Sequence, residues 1–209
     1  MVFTWIGDVG PLLEDACYQR YYQQLPDFRK EKAGKYRSAE DRALSAGAWI
    51  LWQRAREQHH LPKQGPFNLS HSGRYVLCSA QIEGDGQVQV GCDVQQMQIY
   101  REGVARRFFC PGEYGHIQSL DGEKDRTELF YRYWVLKESF MKAVREGMAL
   151  GLDSFEFHMR EGECPVLKNC PGHYRKEAYF FREFDLQSYR AAVCSSDPDI
   201  DSRLQWVEF

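Results

Sequence analysis

Hydrophobic and polar positions along the chain alternate between two periods, and the switches between them predict the elements. Residues 1–8 are mostly apolar and read as a first strand. Residues 12–25 carry a helical pattern that stops before Pro26. Ser38, with Asp41 three residues on, opens a helix through about residue 60. Leu44, Gly47, Ile50, Leu51 and Ala55 form its apolar face, and Pro62 and Pro66 end it. Residues 67–70 and 74–81 read as strands, and Gly84-Asp85-Gly86 as a hairpin turn. The next strand alternates cleanly. Val88, Val90, Cys92 and Val94 share one face; Gln89, Gly91, Asp93 and Gln95 share the other, so Asp93 points away from the apolar side. Residues 102–109 and 124–145 read as helices. The last third reads mostly as strands, over 154–159, 178–184, 189–194 and 204–207.

One short segment repeats. Residues 72–79 (SGRYVLCS) resemble 188–195 (SYRAAVCS), at a constant offset of 188 − 72 = 116. This fits a chain built from two similar lobes.

Composition narrows the class. Of 209 residues, 43% are hydrophobic and 14% aromatic, enough for a packed core and against disorder. Net charge is −3, so a general nucleic-acid or membrane binder is not expected and any basic site must be local. No apolar run reaches spanning length, and the N-terminus lacks the basic start of a signal peptide. Seven cysteines without CxxC spacing suit free thiols in a reducing cytoplasm, with Cys78, Cys92 and Cys194 as buried small hydrophobes.

Four groups of residues carry candidate chemistry. Asp93 ends a strand; taken alone, it would be a solvated acid. Glu138 and Lys142, spaced i,i+4, would ordinarily be a surface pair worth about 0.2–0.5 kcal/mol. Trp134 on the same face and Lys137 beside it argue for a site instead. Ser70-His71-Ser72, followed by Gly73, is either a polar turn or a phosphate or ribose contact. Arg29, Lys30, Lys32 and Lys35 form a basic cluster whose ordinary explanation is a solvated helix face. Acids able to hold a hard cation, beside lysines able to neutralise phosphate, are the equipment of Mg²⁺-dependent phosphoryl-type transfer.

In order along the chain, six stretches resemble the 4′-phosphopantetheinyl transferases, specifically the Sfp-type (surfactin-synthetase-activating) branch. They are RKEK at 29–32, EDR at 40–42, FNLSHSG at 67–73, VGCDV at 90–94, RFF at 107–109 with Glu113, and WVLKESFMK at 134–142. The resemblance implies an α/β (α+β) fold, two-lobed and pseudo-twofold, each lobe a small antiparallel sheet with helices. A division into 1–98 and 99–209 follows from it. It implies transfer of 4′-phosphopantetheine from coenzyme A to a serine of an acyl or peptidyl carrier protein. By motif position, Asp93 and Glu138 would hold Mg²⁺, with Gln95 as a further ligand. Lys142 and Lys137 would meet the CoA phosphates, as would Arg29 and Lys32. Ser70 and His71 would contact the adenosine side, His71 its 3′-phosphate. Glu138 would be the general base.

The chain departs from the family pattern at two places. Gln95 stands where an Asp-x-Glu pair has its second acid, and the usual Gly-Lys-Pro is missing, leaving Lys63 as the available substitute. The loss of an acid motivates an alternative, a catalytically weak CoA- or nucleotide-binding protein on the same fold. A third class is an interaction module without ligand. Ile99, Tyr100, Arg101, Arg106, Arg107 and Phe108 are the expected face for an acidic carrier, with at least one of Phe108 and Phe109 in the core. A monomer in the cytoplasm, with no nucleic-acid or membrane partner, completes the expectation.

Overall fold

The computed structural model describes residues 1–209 apart from Asp85, Glu161 and the side chain of Met148. The chain begins with β1 (Val2–Asp8), then α1 (Asp15–Tyr22), α2 (Asp27–Gly34) and α3 (Ala39–Gln58). The predicted helix over 12–25 is instead a 3-10 turn over Gly10–Leu13 followed by the shorter α1, the two separated by an extended Glu14. Ser38 caps α3 as expected, its Oγ accepting from the Asp41 amide at 2.9 Å. A hairpin follows, β2 (Phe67–Ser72) and β3 (Tyr75–Gln81), turning at Gly73 with φ +56°.

The second half repeats this order. It runs β4 (Val90–Gln96), α4 (Glu102–Phe108), α5 (Pro111–Gln118) and α6 (Glu123–Val144), then a small ribbon, β5 (Glu156–His158) with β6 (Val166–Asn169). A second hairpin, β7 (Phe180–Leu186) and β8 (Tyr189–Ser195), precedes β9 (Ile200–Val207). The sheets are ordered β2-β3-β1-β9 and β4-β8-β7. In each, the second hairpin strand lies between its partner and the opening strand, antiparallel to both. The segments repeated at offset 116 fall on β3 and β8, the two strands that occupy this position.

Strand periodicity builds four layers. Trp5, Val76, Cys78 and Ala80 face α3 in one core. Val2, Ile6 and Leu77 meet Val90, Cys92, Val94, Ala191 and Val193 between the sheets. Ala192 and Cys194 face α6 in a third core with Val135, Leu136 and Phe140. All seven cysteines are free, and Cys78, Cys92 and Cys194 are buried as expected. No helix among the described residues is long and apolar enough to cross a membrane.

One sequence expectation changes here. β3 and β4 do not form a hairpin. Each joins a different sheet, so the Gly84–Gly86 stretch, whose Asp85 lies outside the described residues, carries the chain between layers. The sheets also exchange strands across the 98/99 division: β4 pairs with β8, and β9 runs parallel to β1.

Candidate functional site

The site forms where α6 crosses β4 at unusually close range. Gly91 allows that approach. A Cβ there would fall 2.0 Å from the Ser139 carbonyl oxygen and 2.4 Å from the Ala143 nitrogen, both helix backbone. Gly91→Ala must therefore push α6 off β4. A loss of about 3 kcal/mol is expected in chemical denaturation, the upper end of ordinary overpacking. Unchanged stability would mean that α6 does not lie this close.

This crossing covers the strand face that alternation alone would leave to solvent. Asp93 is 1% exposed. Lys142, from the last turn of α6, donates to Asp93 Oδ1 at 2.6 Å, to Ser70 Oγ at 3.0 Å and to the Cys92 carbonyl at 3.1 Å. These three acceptors match the three N–H groups of an ammonium. Burial would lower the Lys142 pKa, but Asp93, aided by Cys92 and Glu138, raises it above the ordinary lysine value. Glu138 lies one turn earlier on the same face and is half-buried. Burial, then the charge of Asp93, pushes its pKa above the ordinary glutamate value, and Lys142 opposes this. The site thus couples two acids and one cation.

The Ser70-His71-Ser72 cluster is split by the strand it occupies. β2 runs through Ser72, so Ser70 and Ser72 face β4 while His71 points to the opposite side. His71 is exposed; partial desolvation, then the charges of Lys142 and Lys32, lower its pKa, and Asp41 and Asp93 oppose the shift. At neutral pH it is an uncharged imidazole with cations around it, a setting that favours an anion. Lys32 is exposed on α2.

Other expected contacts are not brought here. The Arg29 guanidinium lies 4.9 Å over the Trp49 ring, with Nη2 donating to the Ser45 carbonyl at 2.8 Å. It is 9% exposed and ties α2 to α3. Lys137 is wholly buried on the far side of α6. It donates to Glu113 Oε2 at 2.8 Å and to the Leu152 and Phe155 carbonyls at 2.8 and 2.6 Å. Glu113 also accepts from the Cys110 and Phe157 amides. Successive helix residues point about 100° apart, so Lys137 cannot share the Glu138 face. Gln95 does lie beside Asp93, but its Nε2 donates to Asp93 Oδ2 at 3.2 Å, while its Oε1 accepts from Ser72 Oγ at 3.4 Å. The amide oxygen that would ligate a cation is turned away from the acid.

Asp93 and Glu138 suit a magnesium ion by donor chemistry. Both are hard oxygen ligands, and Mg²⁺ needs only one or two carboxylates when phosphates and waters complete its shell. Among the described residues, no group of three or more His, Cys, Asp or Glu side chains forms an all-protein cage. Beside Gln95 a slot of about 210 Å³ opens, walled by Ile99, Tyr100, Phe130, Tyr131 and Trp134.

Sequence reasoning missed Gly91, Asn68 and the Glu113–Lys137 pair. Asn68, Ser70 and Ser72 alternate along one face of β2, and that polar row was the available signal for a strand facing an unusual partner.

Residues 89–194, from just before β4 to the end of β8, match the family model of the 4′-phosphopantetheinyl transferase superfamily. A 4′-phosphopantetheinyl transferase of Bacillus subtilis is 34% identical over 134 residues, covering 64% of this chain and 56% of that protein. The 4′-phosphopantetheinyl transferase Sfp of Bacillus subtilis (strain 168) is 30% identical over 144 residues, covering 68% and 60%. The chain thus spans somewhat over half the length of these relatives. Among solved structures, the holo-[acyl-carrier-protein] synthase of Thermotoga maritima aligns with 51% of this chain and 61% of that one, with 24% identity and a TM-score of 0.43.

Proposed function

The chain belongs to the 4′-phosphopantetheinyl transferase superfamily, and from that premise we propose that it transfers 4′-phosphopantetheine from coenzyme A to a carrier-protein serine. The carrier is an acyl or peptidyl carrier protein, and the reaction depends on Mg²⁺. One observation carries the reading: Asp93, Glu138 and Lys142 converge from β4 and α6, with Lys32 adding positive charge nearby and the neutral His71 imidazole able to donate to a phosphate.

The chemistry follows from what each residue can do. The serine oxygen attacks the β-phosphorus of CoA. A new phosphorus–oxygen bond forms as the bond to the bridging oxygen breaks, and 3′,5′-ADP leaves with the electron pair. Glu138 accepts the serine proton, directly or through a water, and its raised pKa makes it a better base than an ordinary glutamate. Lys142 stays charged and supplies positive charge near the departing nucleotide. Asp93 and Glu138 would hold the Mg²⁺, which when bound neutralises charge on the pyrophosphate oxygens. Positioning by the rigid β4–α6 crossing contributes much of the remainder.

The carrier face lies just after β4. Ile99 is 72% exposed, and Arg101, Arg106 and Arg107, which follow it in the chain, are exposed too. Phe109 is buried and Phe108 half-buried, so Phe108 alone of the two can touch a partner. An exposed apolar residue followed within one short stretch by exposed arginines complements an acidic helical carrier.

Incubation with CoA, Mg²⁺ and a panel of apo-carriers, followed by intact mass, tests the reading. A mass gain of one phosphopantetheine is expected. CoA binding without transfer to any carrier would instead favour the weakly catalytic alternative. His71→Ala should raise the Michaelis constant for CoA about tenfold, the worth of one hydrogen bond to a charged group. The effect on 3′-dephospho-CoA should be small. Equal effects on both donors would remove His71 from the 3′-phosphate.

A further inference from the structure

We propose that Ser70 positions Asp93 and Lys142 for transfer, an inference that rests on the transferase reading above. The argument begins at the edge of β4. Its other edge is paired with β8, so alternate amides point outward without a strand partner. Side chains of β2 meet them instead. Asn68 Oδ1 accepts from the Cys92 amide at 3.1 Å, Ser70 Oγ from Val94 at 3.3 Å, and Ser72 Oγ from Gln96 at 3.0 Å. The sequence separation is 24 at every rung. β2 thus replaces a strand's carbonyl row with a row of side-chain oxygens. The longer reach lets two stacked sheets join at one seam, where ordinary pairing would force them into one plane.

Ser70 is the rung that also touches the reactive groups. Its hydroxyl has one proton and two lone pairs. The proton goes to Asp93 Oδ1 at 2.7 Å. The lone pairs take the Val94 amide and Lys142 Nζ at 3.0 Å. The hydroxyl's three hydrogen-bonding positions are filled, and the residue is 5% exposed. Asn68, two residues away, serves the same seam without touching Asp93 or Lys142.

Ser70→Ala and Asn68→Ala therefore separate positioning from seam stability. Both should lower the melting temperature. Ser70→Ala should also reduce kcat about 10- to 100-fold, the worth of a hydrogen bond to a charged group. Asn68→Ala should keep kcat near wild type and leave CoA affinity by calorimetry unchanged. Reduced CoA affinity with intact kcat in Ser70→Ala would overturn the proposal in favour of a donor contact. Equal kcat losses in the two variants would reduce Ser70 to a seam residue. A crystal structure of Ser70→Ala gives a readout without turnover: Asp93 or Lys142 should be displaced, and unmoved side chains would overturn the inference. If wild-type protein modifies no carrier, the transferase reading fails separately, and this structural comparison still decides the positioning role.

Discussion

Glu138→Gln is expected to abolish carrier modification and leave the fold intact. The substitution keeps the side chain's size and removes its charge. Loss of a general base alone lowers turnover by about 10²- to 10⁴-fold, and the loss of a metal-holding carboxylate adds to it. The stability effect has the opposite sign. Burial and the Asp93 charge raise the Glu138 pKa in the folded protein. The ionised form is therefore disfavoured by folding, and its cost appears as pH rises through the raised pKa. At neutral pH a Gln removes that cost, so the melting temperature should hold or rise. Turnover by intact mass and a thermal melt check both halves. Near-wild-type turnover at saturating Mg²⁺ would reject both roles of Glu138. A large drop in melting temperature would make it a structural residue.

Lys137→Met should damage the fold, not the donor site. The Lys137–Glu113 pair is wholly buried and hydrogen-bonded on all sides. Removing one partner strands an uncompensated buried carboxylate, at a cost of about 3–5 kcal/mol. For a chain of this size that lowers the melting temperature by about 10 °C. Adding Glu113→Gln should recover much of the loss, because the stranded charge is then gone and Met fills a similar volume. CoA affinity of the folded variant should match wild type. A variant that melts normally and binds CoA poorly would return Lys137 to the phosphate contacts that the motif suggests.

The two predictions concern adjacent residues with opposite fates, and that contrast shows where sequence reading stops. The motif WVLKESFMK marks a helix with chemistry on it, and i,i+4 spacing rightly places Glu138 with Lys142. The motif does not say which lysine faces the site. That depends on where β4 and Glu113 lie around α6. Arg29 and Lys32 pose the same question on α2: one guanidinium turns inward over Trp49 while its neighbour stays exposed. α5 and β6 went unread because both are short and lack a clean period.

Local pattern by itself determined the helices α3 and α6, the strands β1, β3, β4, β8 and β9 to within a few residues, and the offset repeat. It also placed Asp93, Glu138 and Lys142 on elements able to present them. These features follow from periodicity and capping, which act over neighbouring residues. Tertiary structure alone decided that β4 belongs with β8, that Asp93 is buried under α6, and that Ser70 and His71 face opposite ways into different surroundings. Each of these depends on contacts between residues far apart in the chain, formed when apolar faces are buried against one another. Gly91 records the outcome in one residue: its missing side chain has no local cause, and its reason is the helix that packs upon it.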